Sequence, residues 1–151
     1  MPISSKRETL RVKSFIIVFI FSCLLLYLFV ACSMNLDTSG IWKGEMSIIE
    51  KGKIERSKVE LMVNQTGKKI AGKLTLWDPQ GNQVGILDIT SGVLDGNRIS
   101  FIAEARSFGG TLQMRFDGTA SAKIIKGSGI LNLNDLTGMS SAKFSLKVAK
   151  Q

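Results

Sequence analysis

From residue 40 onward the chain alternates apolar and polar residues. The clearest stretch lies near its end, where Ala142, Phe144, Leu146 and Val148 face one way and Lys143, Ser145 and Lys147 the other. Val59, Leu61 and Val63 alternate with Lys58, Glu60 and Met62, and Ile99, Phe101, Ala103 and Ala105 with Arg98, Ser100, Ile102 and Glu104. Leu112, Met114 and Phe116 alternate in the same way with Gln113, Arg115 and Asp117. Successive side chains of a strand point to opposite faces, so this pattern gives strands dry on one side and wet on the other, as in antiparallel sheets. It predicts eight strands, near 40–49, 56–65, 69–77, 83–94, 98–106, 111–120, 124–133 and 141–149. Between them stand turn formers: Thr66-Gly67-Lys68, Asp78-Pro79-Gln80-Gly81-Asn82, Asp95-Gly96-Asn97 and Phe108-Gly109-Gly110. No stretch carries a helical period.

The expected architecture is all-β: a single eight-stranded antiparallel up-and-down β-barrel, with a β-sandwich as the alternative. Glycines inside strands mark bends or close approach. Gly44, Gly72, Gly118, Gly127 and Gly129 are placed to coil a sheet around a narrow barrel. Closure also removes the exposed edges that an open meander would leave. A weak internal echo, residues 69–76 against 126–133, is one strand long and is no solenoid repeat.

The pattern before residue 40 differs. A basic head with Lys6, Arg7, Arg11 and Lys13 precedes an apolar run from Phe15 to Ala31, broken only by Ser22 and Cys23. These are the parts of an export signal. Val30-Ala31-Cys32 resembles the lipobox of bacterial lipoproteins. That resemblance implies removal of residues 1–31 as a lipoprotein signal peptide and lipidation of Cys32. It further implies a short tether over 32–39 and a barrel domain over 40–151. Ser33 after the cysteine implies, by the same resemblance, the periplasmic face of the outer membrane in the bacterial cell envelope. The other reading is an uncleaved anchor, since the run approaches the roughly 17 residues that span a bilayer. It has no basic flank on its far side.

Composition narrows the options. The head holds four of the 20 Lys and Arg and one of the 12 Asp and Glu, which leaves sixteen against eleven. That moderate positive balance, with aromatics that do not interleave with the basic residues, argues against nucleic acid. With Cys32 acylated, no thiol is left for a disulfide. The absence of histidine removes the commonest general base and transition-metal ligand. No P-loop, zinc spacing or nucleophile elbow occurs. No catalytic, cofactor or metal residue is therefore assigned. Glu45, Glu60 and Asp88, the strand-borne carboxylates of the first half, are placed to pair with lysines across the sheet. An enzyme is the remote third option.

Gly40-Ile41-Trp42, opening the first strand of an eight-strand meander, resembles the Gly-x-Trp start of lipocalins and avidin-type barrels. The resemblance implies that Trp42 plugs one end of the barrel against a basic residue of the last strand, with Lys143 or Lys147 as stand-ins. It carries no ligand across. The Thr-Asp-Tyr lipocalin motif is missing, and Trp42 and Trp77 are the only tryptophans.

Up-and-down topology then separates two ends. The end near the tether collects Lys68, Lys69, Arg98, Lys123 and Lys150, a basic collar able to rest on anionic headgroups or to remain a solvated rim. The distal end is expected to carry the longer loops and with them a rim of Trp77, Arg106 and Phe108, which either anchors a partner or caps the core. Three functions follow. A membrane-anchored binding module holds an apolar small molecule or an envelope protein. A filled structural barrel acts by its surface without a pocket. An enzyme is third.

Overall fold

A computed structural model describes residues 36–107, 110–135 and 138–151, with the Ser107 side chain left out. The eight strands are β1 (Gly40–Glu50), β2 (Lys53–Thr66), β3 (Lys69–Trp77), β4 (Gln83–Asp95), β5 (Arg98–Ser107), β6 (Gly110–Ala120), β7 (Ile124–Asp135) and β8 (Gly138–Lys150). Each pairs antiparallel with its sequence neighbour, and β8 returns to β1, with Trp42 opposite Lys150 and Ile49 opposite Lys143. The sheet is therefore a closed barrel. That closure excludes the sandwich.

The inward parity is the one the alternation gives. Trp42, Met46, Leu61, Leu74, Leu87, Ile99, Met114, Phe116, Ile125, Phe144 and Leu146 are almost completely buried. An eight-stranded barrel has an interior just wide enough for side chains to fill. Phe101, Phe116 and Phe144 stack across it, with centroids 4.8 Å and 6.3 Å apart. The outer wall carries the charges, the reverse of a barrel whose wall faces hydrocarbon.

Parity breaks once. Opposite Ala103 and Ile102 of β5 stand Ile89 and Ser91, so Thr90 is an extra residue in β4. This bulge flips the rest of the strand: Val93 is 46% exposed and Leu94 only 4%.

The strands also run further at the distal end than the apolar pattern shows. Residues 53–56 and 138–141 pair in β2 and β8 although all are exposed. The distal connections thereby shrink to Lys51-Gly52, 108–109 and 136–137, and only 78–82 is long. The expectation of longer distal loops is corrected. Backbone pairing extends a hairpin without any apolar face to signal it. Lys51 and Gly52 both hold positive φ, 48° and 81°, as a type I′ turn requires. Lysine is poorly suited to that backbone, so Lys51→Asn is expected to raise stability by roughly 0.5–1 kcal/mol. A lower urea midpoint would contradict the turn assignment.

Candidate functional site

The tether end of the barrel is shut by a polar strap laid over an aromatic plug. Gln65 continues the inward parity of Val59, Leu61 and Val63 and meets residues 36–39 crossing the opening. Its Oε1 accepts from the Thr38 amide and hydroxyl, both at 2.7 Å. Its Nε2 donates to the carbonyls of Leu36 at 3.0 Å and Gly67 at 2.9 Å. Trp42 Nε1 donates to the Thr38 carbonyl at 2.8 Å. Both polar atoms of the half-buried Gln65 amide are thus used. Gln65→Ala is expected to cost about 2–3 kcal/mol, because the buried Thr38 hydroxyl loses its acceptor. Faster hydrogen exchange at Trp42 Nε1 should accompany the loss, and unchanged exchange would refute the strap.

The basic residue on Trp42 is Lys150, its Nζ 5.4 Å from the ring centroid. This corrects the expectation of Lys143 or Lys147. Closure pairs Trp42 with Lys150, whereas Lys143 lies opposite Ile49 and Lys147 opposite Glu45.

The collar residues Lys68, Lys69, Arg98, Lys123 and Lys150 all stand at or next to this end, but several are engaged. Lys68 pairs with Asp95 at 2.6 Å, and Arg98 grips Asp117 through two hydrogen bonds of 3.2 and 2.9 Å. The hydrogen bond from Arg98 holds the Asp117 carboxyl below the usual carboxylate range, and that from Lys68 does the same for Asp95. A depressed carboxyl contributes stability above its unfolded pKa and loses it as pH falls through the folded one. With no histidine in the chain, thermal stability should be flat from about pH 5 to 8 and decline only below about pH 4. A midpoint sloping near pH 6.5 would contradict this. Both pairs are exposed, so the decline should be shallow.

Of the predicted distal rim, Trp77 and Arg106 lie among the described residues. Trp77 ends β3 on the outer face, half-buried beside Lys58 of β2, and lines a concavity of about 300 Å³ with Lys43, Glu60 and Gly81. It does not cap the core. Arg106 is exposed on β5, opposite Thr111 and separated from β3 by β4. Phe108, like Cys32, lies outside the described residues. A rim notch of about 240 Å³ is lined by Ile48, Glu50, Lys51, Lys53 and Glu55.

The largest of these concavities, about 380 Å³, is an open groove on the outer wall of β4–β7. Ser91, Val93, Ser100, Ile102, Asp117 and Ile130 lie along it, over a floor at Phe101, Phe116 and Gly129. Single strands give no sign of it, since it exists only once four registers are fixed. Of the carboxylates considered for catalysis, Glu60 pairs with Lys43 at 3.1 Å and Asp88 with Lys73 at 3.8 Å. Glu45 stands opposite Lys58 and Lys147.

No family model matches the chain, and no curated protein matches it. Among solved structures it is similar to lobster apocrustacyanin A1, at 14% identity and a TM-score of 0.43. The match covers 75% of this chain and 60% of that one, so this chain spans under two thirds of that protein's length.

Proposed function

We propose that this protein is a lipid-anchored envelope lipoprotein whose filled barrel works through its outer surface. The observation that carries the reading is the density of the interior. Added Cβ atoms at Gly118, Gly127 and Gly129 would come within 2.7 to 2.8 Å of the Phe116 or Phe144 rings, so even a methyl group has no room there. Such an interior supports a scaffold more than a container. Native mass spectrometry of the protein released from membranes should give the acylated chain with no small molecule retained. A stoichiometric apolar metabolite surviving purification would favour the container.

The second reading, an apolar small molecule held as in the lipocalin-type barrels that Gly40-Ile41-Trp42 resembles, draws on the apolar side chains of the barrel core. No catalytic role is proposed.

The anchor reading rests on Val30-Ala31-Cys32. With residues 36–39 strapped to the barrel by Gln65, four residues from Cys32 to Leu36 can span at most about 14 Å. The Trp42 end would then lie close to the lipid, with the basic collar facing it. Cys32→Ala should move the protein from the membrane to the soluble fraction or leave it as an unprocessed precursor. Normal processing and membrane association in that variant would overturn the lipoprotein reading.

A further inference from the structure

Closure aligns outward side chains of neighbouring strands into rows, and beside the β4–β7 groove these rows bring together cations that form no ion pair among the described residues, although Glu45 of β1 stands opposite Lys147. Lys126 of β7 stands directly opposite Lys147 of β8. Two outward rows away, beyond the Ser128–Ser145 pair, Lys143 stands opposite Ile130, which in turn faces Arg115 of β6. At about 3.3 Å per residue the two pairs of cations lie about 13 Å apart along strands spaced about 4.8 Å, so the patch spans more than one headgroup. Among the described residues none of the four forms an ion pair. Asp117, the acid bordering the groove, is already gripped by Arg98, and Glu45 makes no ion pair with Lys147. Like charges directly opposed across a sheet are unfavourable unless an anion lies between them.

The apolar half of the surface is equally specific. Ile49 and Ile130 flank Lys143 in the same row and are 46% and 47% exposed. Ile130 also lines the groove, together with Val93 and Ile102. A free phosphate would use the cations and leave these side chains wet. A ligand with a phosphate and an acyl chain would use both.

We propose that the β6–β8 outer wall is a docking surface for the phosphate-bearing headgroups of anionic lipids, with the β4–β7 groove taking adjoining acyl carbon. The inference deepens the outer-surface reading and rests on it. It differs from the collar reading, because Lys68, Arg98 and Lys150 are occupied by Asp95, Asp117 and Trp42 while the wall cations are not. Lys126 and Lys147 lie within three residues of the strand ends at the tether side, so a modest tilt would lay the wall on the bilayer.

The test uses the full chain in an uncharged detergent, titrated with dihexanoyl-phosphatidylglycerol while backbone amide shifts are followed by NMR. Dihexanoyl-phosphatidylcholine and inorganic phosphate serve as parallel probes. Saturable shifts at Arg115, Lys126, Ser128 and Lys147 are expected with the anionic lipid, with at least tenfold weaker response to either control. The double variant Lys126→Ala/Lys147→Ala should weaken binding at least tenfold, and Lys68→Ala/Lys69→Ala should not change it. Lys126→Ala without lipid should melt no lower than the parent, since it relieves a repulsion. Equal response to inorganic phosphate would make the site a free-anion site and overturn the lipid assignment. Equal response to the choline lipid, shifts confined to the collar, or a lower melting point for Lys126→Ala would overturn it as well. Failure of the Cys32 experiment would leave this result standing, and the reverse also holds.

Discussion

Gly129→Val is expected to abolish the barrel. An added Cβ there would be driven onto the Arg115 carbonyl oxygen of β6 and to within 2.8 Å of two Phe144 ring carbons. Neither neighbour can yield cheaply. The carbonyl belongs to a paired strand, with Arg115 opposite Ile130, and Phe144 is 2% exposed in the centre of the aromatic stack. Overpacking with backbone displacement ranks among the few mechanisms costing more than about 4–5 kcal/mol, most of what a small domain has. Far-ultraviolet circular dichroism and the soluble yield read the outcome. Gly85→Ala is the control, because its Cβ position has nothing within 4 Å and its φ is ordinary. It should be neutral or stabilising by up to about 1 kcal/mol. Equal tolerance of both substitutions would contradict the packing described for β6, β7 and β8.

Phe116→Ala should cost about 3–5 kcal/mol and lower the melting temperature by roughly 10–20 °C. Phe116 is fully buried between Phe101 and Phe144, so its removal deletes both ring contacts and opens a hole in the middle of the barrel. A dry apolar hole of that kind takes up small aromatic molecules. Benzene should therefore raise the melting temperature of the variant and leave the parent unchanged. If benzene stabilised the parent as well, the natural interior would already contain such a space.

Much of the fold was legible because period-two alternation reports burial directly. Val59, Leu61 and Val63, or Phe144, Leu146 and Val148, name their face without any partner strand. Closure was favoured by the in-strand glycines, whose neighbours turn out to be backbone or ring atoms. What stayed hidden depends on register. Thr90 gives no local sign of its bulge, because Val93 and Leu94 are equally apolar and only pairing with β5 chooses between them. The partner of Trp42 was misplaced from Lys150 to Lys143 or Lys147, since the β1–β8 offset is fixed only when the barrel closes. The β1–β2 and β7–β8 extensions were missed because residues 53–56 and 138–141 pair without burying a face. Gln65 did carry a signal: an amide at an inward position, two residues beyond Val63, calls for partners. The cation patch had none, because Lys126 and Lys147 meet only through the β7–β8 register.

The central claim is that the interior is filled and the working surface lies outside. A high-resolution crystal structure of the chain purified from its native source tests it most directly. The account predicts Phe101, Phe116 and Phe144 in mutual contact, with centroids near 4.8 and 6.3 Å, and no density inside the barrel beyond the side chains. Density for a small molecule separating those rings would contradict it.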